Sequence, residues 1–216
     1  MLFYTKILAD TKGDYMKTLI VIPALNPPLD LIKYIEKLRL SGLENILIVD
    51  DGSRPEFKNI FENLIDEQGC QILTHAKNLG KGRALKNAFN YFMTMPNVEE
   101  YNGIVTADSD GQHRVEDVLS MVEIISNYPD SLILGCRDFD SENVPPKSKF
   151  GNKLTKLVFK LLYGRKITDT QTGLRGFPKA ILHDMLEIPG ERFEYETKML
   201  IHTFDKLIPI KEITIE

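Results

Sequence analysis

Gly103-Ile104-Val105-Thr106-Ala107-Asp108-Ser109-Asp110-Gly111-Gln112-His113 joins a short apolar run to two carboxylates one residue apart. The run reads as a buried strand. It delivers its acids at the carboxyl end, the edge of an open parallel sheet where ligands bind. Gly111 lets the chain turn there, so Asp108 and Asp110 need not project as in a regular strand and can both reach one hard cation, directly or through water. Magnesium or manganese suits so sparse a loop, because such an ion keeps several waters and binds substrate phosphates as well as carboxylates. An Asp-x-Asp pair by itself is more often solvated turn chemistry than a metal site. The rest of the chain has to separate the two readings.

With 216 residues the chain can bury one sizeable core, and it is short for two. A single domain over 1–216 is expected. Hydrophobic residues at 43% and charged residues at 27% are ordinary globular values, which argues against disordered, collagen-like and transmembrane classes. The net charge of -4 argues against a general nucleic-acid binder, so no nucleic-acid partner is expected. Cys70 and Cys136 match neither a metal-ligand spacing nor a disulfide framework, and their apolar surroundings predict buried thiols in a reducing compartment. Residues 1–15 mix Lys6, Asp10, Lys12 and Asp14 with few apolar residues, unlike a signal peptide. No apolar run approaches about 18 residues, so a cytoplasmic chain with at most peripheral membrane contact is expected. The stretch 208–216 alternates like a strand and then stops, which fits either an edge strand or a piece of something longer.

Taken in order, the apolar run over 17–22 closes at Pro23 as a first buried strand. After the loop 23–28, Leu29, Leu31, Ile32, Ile35 and Leu38 have helical spacing, and Gly42 ends that helix. Residues 45–49 form a second strand running into Asp50-Asp51-Gly52-Ser53, so two strand ends carry acids. A helix over 56–67 and a strand over 71–74 lead to Asn78-Leu79-Gly80-Lys81-Gly82-Arg83, a glycine-rich turn that opens another helix. Its free backbone N–H groups, with Lys81 and Arg83, could hold a phosphate. The spacing is not that of a P-loop, and a tight turn with a solvated lysine is the plainer reading. A helix over 115–126 and a buried strand over 131–136 follow. Strand and helix thus alternate through the first 135 residues, which predicts a largely parallel sheet covered on both faces.

From 143 to 168 there is no acid, while Lys147, Lys149, Lys153, Lys156, Lys160, Arg165 and Lys166 flank an apolar set of helical period. Such a helix either lies on an anionic membrane or packs on the sheet with a solvated lysine edge. Beyond it, Asp169-Thr170-Gln171-Thr172-Gly173-Leu174-Arg175-Gly176-Phe177 reads as a polar turn between helices, a cap or a site. A helix with Phe193, Tyr195, Glu196, Met199 and Leu200 comes next.

Together, Pro23-Ala24-Leu25-Asn26, Val49-Asp50-Asp51-Gly52-Ser53, Asn78-Leu79-Gly80-Lys81-Gly82, Asp108-Ser109-Asp110-Gly111-Gln112-His113 and Asp169-Thr170-Gln171-Thr172-Gly173-Leu174-Arg175 resemble the family 2 glycosyltransferases. Within them the chain looks most like the polyprenyl-phosphate sugar transferases, the dolichol-phosphate mannose synthase group. The resemblance runs from Lys17 to the end. It implies a GT-A fold: an α/β Rossmann-like nucleotide-binding layer with a mostly parallel sheet flanked by helices, fused to an acceptor-binding part. The nucleotide-sugar part would span 17–135 and the acceptor part 136–216, behind an extension over 1–16.

On that resemblance, Pro23, Ala24, Asn26, Asp50 and Asp51 would hold the nucleoside, and Asn78, Gly80 and Lys81 would support the nucleotide and its phosphates. Asp108, which also counts as a nucleotide ligand, would hold a divalent cation, Mn2+ or Mg2+, together with Asp110 and Gln112. Relatives commonly carry an acid after the asparagine where Pro27 stands here, which bears on nucleotide preference. The implied reaction moves a hexose, with inversion, from UDP- or GDP-hexose to a polyprenyl (dolichyl or undecaprenyl) phosphate at the inner membrane face. A lipid phosphate is already ionised, so the acceptor needs cations rather than a strong base. Arg137, with Lys147 and Ser148 as weaker candidates, would meet that phosphate, and Asp169 and Arg175 match the family's second-half motif. Were the acceptor a saccharide hydroxyl, Asp169 would be the base. A nucleotide-binding module that has lost turnover is the non-enzymatic alternative.

Overall fold

The computed structural model describes residues 17–137 and 167–216. The N-terminal extension and the acid-free segment with Lys147 and Ser148 lie outside the described residues.

Strand β1 (Lys17–Ala24) is buried along most of its length because both faces are covered. Leu19 and Val21 join one apolar cluster and Ile20 and Ile22 join another, as the two-residue period of a strand requires. Helix α1 (Asp30–Leu40) follows, then β2 (Ile46–Asp50), a short 3-10 turn, α2 (Lys58–Asp66) and β3 (Gln71–Thr74). Helix α3 (Lys81–Met93), β4 (Tyr101–Thr106), α4 (Val115–Ile125) and β5 (Leu132–Arg137) complete the first half. After residue 167 come β6 (Arg175–Pro178), α5 (Leu182–Glu187), α6 (Glu194–Asp205) and β7 (Ile210–Ile215). Helices α1, α2 and α4 bury Leu31, Ile35, Leu64, Val118 and Met121 against one sheet face. Helices α3, α5 and α6 bury Phe89, Phe92, Leu182, Tyr195 and Met199 against the other.

The described strands form one sheet in the order β3-β2-β1-β4-β6-β5-β7. Pairings are parallel from β3 to β4 and again between β5 and β7. The expectation of an α/β, mostly parallel sheet flanked by helices therefore holds, with one strand reversed. That strand is β6, antiparallel to both β4 and β5. Residues 169–177 were expected as a turn between helices, and this is a correction: the segment ends in a central strand. Only four residues long, holding an arginine and a glycine, β6 shows neither an apolar run nor a period-two pattern. The C-terminal alternation is a strand at the sheet edge, paired with β5. Both cysteines are free and buried.

Candidate active site

Because β2, β1 and β4 are parallel neighbours, their carboxyl ends open on one edge of the sheet. The chain runs outward from β1 through β2 to β3 and then returns to place β4 on the other side of β1, so β1 and β4 flank a topological switch point. Two loops there are tied together. Asn26, at φ 49, gives its backbone N–H to the Ser53 hydroxyl at 2.8 Å, and its side-chain oxygen accepts from the Arg54 N–H at 2.9 Å. Asparagine is among the few residues that adopt this left-handed backbone at low cost. Asp50 is buried and folds back to accept the Ser53 N–H at 2.8 Å.

Asp51 does something the sequence did not announce. Its carboxylate accepts the backbone N–H groups of Leu79 and Gly80, each at 2.8 Å, and meets His75 Nδ1 at 2.8 Å. Asn87 Nδ2 lies 2.9 Å from the other imidazole nitrogen, so an ionised Asp51 and a donating Nδ1–H account for the whole set. The result is a clamp between the end of β2 and the glycine-rich turn. Gly80 sits at φ 102, and a side chain there would run into the Glu191 carbonyl. The turn is thereby pressed onto the loop that enters α6. The Arg83 backbone N–H donates to the same carbonyl at 2.9 Å, and the side chains of Arg83 and Lys86 both pair with Glu191. Asn78 is exposed at the rim of this turn.

Past β4, Asp108 lies between two cationic or potentially cationic groups. Lys81 Nζ is 2.8 Å from Oδ1, and His113 Nε2 is 3.4 Å from Oδ2. Burial alone would raise the Asp108 carboxyl, but the hydrogen bond to His113 and the charge and hydrogen bond of Lys81 together hold it well below the usual carboxylate range. Burial likewise would lower Lys81, yet the charges of Glu196 and Asp108 outweigh it and raise the ammonium. Glu196 Oε1 lies 3.0 Å from Lys81 Nζ. Opposite, the backbone of Gly173 packs so closely on the Asp108 carboxylate that any side chain there would overlap it. The Thr106 hydroxyl anchors that backbone by donating to the Gly173 carbonyl at 2.9 Å. Asp110 is exposed and accepts the Gln112 N–H at 3.1 Å.

At the end of β5, Arg137 Nε donates to Asp169 Oδ2 at 2.9 Å, while Asp169 Oδ1 accepts the Gln171 N–H at 2.9 Å. Asp169 is 0% exposed and the Arg137 side chain it holds is 40% exposed. Arg175 is the remaining residue expected among the catalytic ones. It is buried, with its guanidinium donating to the carbonyls of Thr172 at 2.9 Å, Glu196 at 3.2 Å and Thr170 at 3.5 Å. Those bonds lock the 169–175 loop to α6, because a buried arginine must spend its donors on fixed acceptors.

A cleft opens between these groups, with Asp108, Gln112 and His113 on one side and Arg137, Gln171 and Gly173 on the other. Of the residues expected at the site, Asp108, Gln112 and Arg137 line it. Pro23, Ala24 and Asp50 close β1 and β2, Asn26 and Asp51 follow in the loops after them, Asn78 and Gly80 belong to the turn between β3 and α3, and Lys81 meets the cleft through Asp108. His75, His113, Gln171 and Glu196 were not singled out from the sequence. His113 adjoins the acidic pair and was within reach, whereas Glu196 stands 115 positions from Lys81. Among the described residues no three His, Cys, Asp or Glu side chains converge to hold a metal. The oxygens of Asp108, Asp110 and Gln112 are hard donors that suit Mg2+ or Mn2+ only if a ligand's phosphates complete the shell, and for such ions that is the ordinary case.

The geometry has counterparts. The chain is 28% identical over 218 residues to the UDP-N-acetylglucosamine–dolichyl-phosphate N-acetylglucosaminyltransferase of Methanococcus voltae, covering 91% of this chain and 84% of that protein. It is 27% identical over 202 residues to the uncharacterized protein MJ1222 of Methanocaldococcus jannaschii, covering 91% and 79%. Among solved structures, glucosyl-3-phosphoglycerate synthase from Mycobacterium tuberculosis, crystallised with Mn2+, UDP and phosphoglyceric acid, superposes with a TM-score of 0.67. That match is 18% identical and covers 92% of this chain and 68% of the synthase, a likeness of fold, and the fold is GT-A. The model of glycosyl transferase family 2 matches residues 19–186, and the chain belongs to that family as a glycosyltransferase.

Proposed function

We propose that the protein transfers a hexose unit, with inversion, from a nucleoside-diphosphate sugar to a polyprenyl phosphate. The observation that carries this reading is the pairing across one cleft of the Asp108 carboxylate and the Gln112 amide with the Asp169-braced Arg137. One side suits a cation-bound diphosphate and the other an anionic acceptor. The Methanococcus voltae relative, whose name specifies a UDP-sugar donor and a dolichyl-phosphate acceptor, supports the same assignment.

The donor's nucleoside would lie along Pro23, Ala24, Asn26, Asp50 and Asp51, with Asn78, Gly80 and Lys81 supporting its phosphates. Asp108, Asp110 and Gln112 would hold Mn2+ or Mg2+ against the diphosphate. When bound, the cation neutralises charge developing on the leaving group. Asp169 orients Arg137 toward the acceptor phosphate, a guanidinium being the side chain best suited to phosphate. Inversion requires one in-line displacement, so this chain's part is to fix both reactants. Lys147 and Ser148 remain candidates for the acceptor phosphate.

Transfer to a saccharide hydroxyl is the second reading, and the burial of Asp169 weighs against it. A general base must reach the proton it takes, and Asp169 is 0% exposed with both oxygens already bonded. No helix among the described residues is long and apolar enough to cross a membrane. The proposal has a cytoplasmic protein meeting its lipid acceptor peripherally at the inner face.

Calorimetric titration of the full chain with UDP, GDP and their hexose conjugates, in Mn2+ and then in chelator, tests the donor half. One nucleotide should bind in Mn2+ and be lost in chelator and in Asp110→Ala. A chain that binds none of them sinks the reading. Transfer from the bound donor to polyprenyl phosphate in vesicles, against no transfer to oligosaccharide, tests the acceptor half.

A further inference from the structure

Lys81 is shared. Its ammonium contacts Asp108, at the carboxyl end of β4, and Glu196, on the first turn of α6, at 2.8 and 3.0 Å. The three side chains are 19%, 34% and 15% exposed, so the bridge is largely withdrawn from water. Glu196 is held from both ends. Its carbonyl takes Arg175 Nη1 at 3.2 Å, and the preceding residue, Tyr195, is buried with its hydroxyl donating to the Met185 carbonyl at 2.7 Å. The carboxylate is thus presented to Lys81 by a fixed turn of helix.

In this arrangement Asp108 has no spare oxygen, with Lys81 on one and His113 on the other. A divalent cation approaching Asp108 meets a resident ammonium that repels it. A buried ammonium stripped of its only carboxylate would be costly. A second carboxylate removes that cost, because Lys81 can release Asp108 and stay charged in place.

We propose that Glu196 is a positioning residue for the donor, holding Lys81 so that the ammonium passes from Asp108 to the incoming phosphates when the cation arrives. The inference rests on the donor site proposed above. Lys81 is then the counter-ion of Asp108 in the donor-free protein and a phosphate ligand in the loaded one. Glu196 is its partner in both.

A double-mutant cycle decides the matter. Wild type, Lys81→Met, Glu196→Gln and the double variant are titrated with Mn2+ alone and then with UDP and GDP in Mn2+, and their melting temperatures are recorded. Lys81→Met should bind Mn2+ alone more tightly than wild type yet bind the nucleotide more weakly. Glu196→Gln should weaken nucleotide binding by roughly three- to tenfold, the size of coupling expected of a contacting charged pair, and should do nothing further in the Lys81→Met background. In turnover it should raise the donor KM and leave the acceptor KM alone. Additive losses, an unchanged nucleotide affinity in Glu196→Gln, a fall in melting temperature with both KM values moved together, or Mn2+ bound no better by Lys81→Met would each overturn the inference. If wild type binds a nucleotide and the losses add, this inference alone fails. If wild type binds none, the donor reading fails and takes this one with it.

Discussion

Asp51 and Asp108 are both buried or half-buried acids at strand ends, and the structure uses them in opposite ways. Asp51 is spent on protein donors, so Asp51→Ala should orphan two backbone N–H groups and cost roughly 1–3 kcal/mol, measurable by urea denaturation. Asp108 is held by charge, and this gives it a pH signature. Its folded-state value is depressed, so its contribution is fully present above the unfolded carboxylate value of about 3.9 and is lost as pH falls toward the lower folded one. In chelator, wild type should therefore exceed Asp108→Asn in stability at neutral pH, and the gap should close only under strongly acid conditions. A gap that widens on acidification would contradict the Lys81 pairing. Arg175→Met should destabilise by about 2–4 kcal/mol, because two loop carbonyls and one of α6 lose their donor inside the protein.

At the level of elements, the α3 turn and the α6 entrance are one interlocked unit. A methyl on Gly82 would meet the Tyr195 side chain, so Gly82→Ala should push the helices apart, cost about 1–3 kcal/mol and weaken nucleotide binding through Lys81. Thermal denaturation together with the nucleotide titration checks both effects. The same elements show what could be read beforehand. Strands β1, β2, β4 and β5 are apolar runs that end in a turn or a charge, and the helices between them carry a clear 3.6 period, so their order was legible. The acids at the ends of β2 and β4 were legible as a shared edge for the same reason. The short β6 was not, because its identity as a strand comes from pairing on both sides rather than from its own residues. Nor was Glu196, since a contact across 115 positions leaves no trace in local spacing.

At the largest scale, the sheet of the described residues runs without interruption from β3 to β7, with β6 as the seam between β4 and β5. If the two parts proposed from the sequence divide as proposed, they would be joined through this strand rather than by a linker. Denaturant unfolding followed by backbone signal and by tyrosine fluorescence should give coincident transitions, and two separated midpoints would mean that the halves unfold independently.

The reversed seam also orders events in time. Thr106 of β4 lies beside Arg175, 69 residues later in the chain, and β5 finds β6 and β7 only after that. While the polypeptide is being synthesised, β4 emerges from the ribosome with β1 on one flank and nothing on the other until β6 follows. An open edge of this kind invites pairing with neighbouring nascent chains. The interval between translating residue 106 and residue 178 is thus the stretch of this protein's birth during which a chaperone has most to protect.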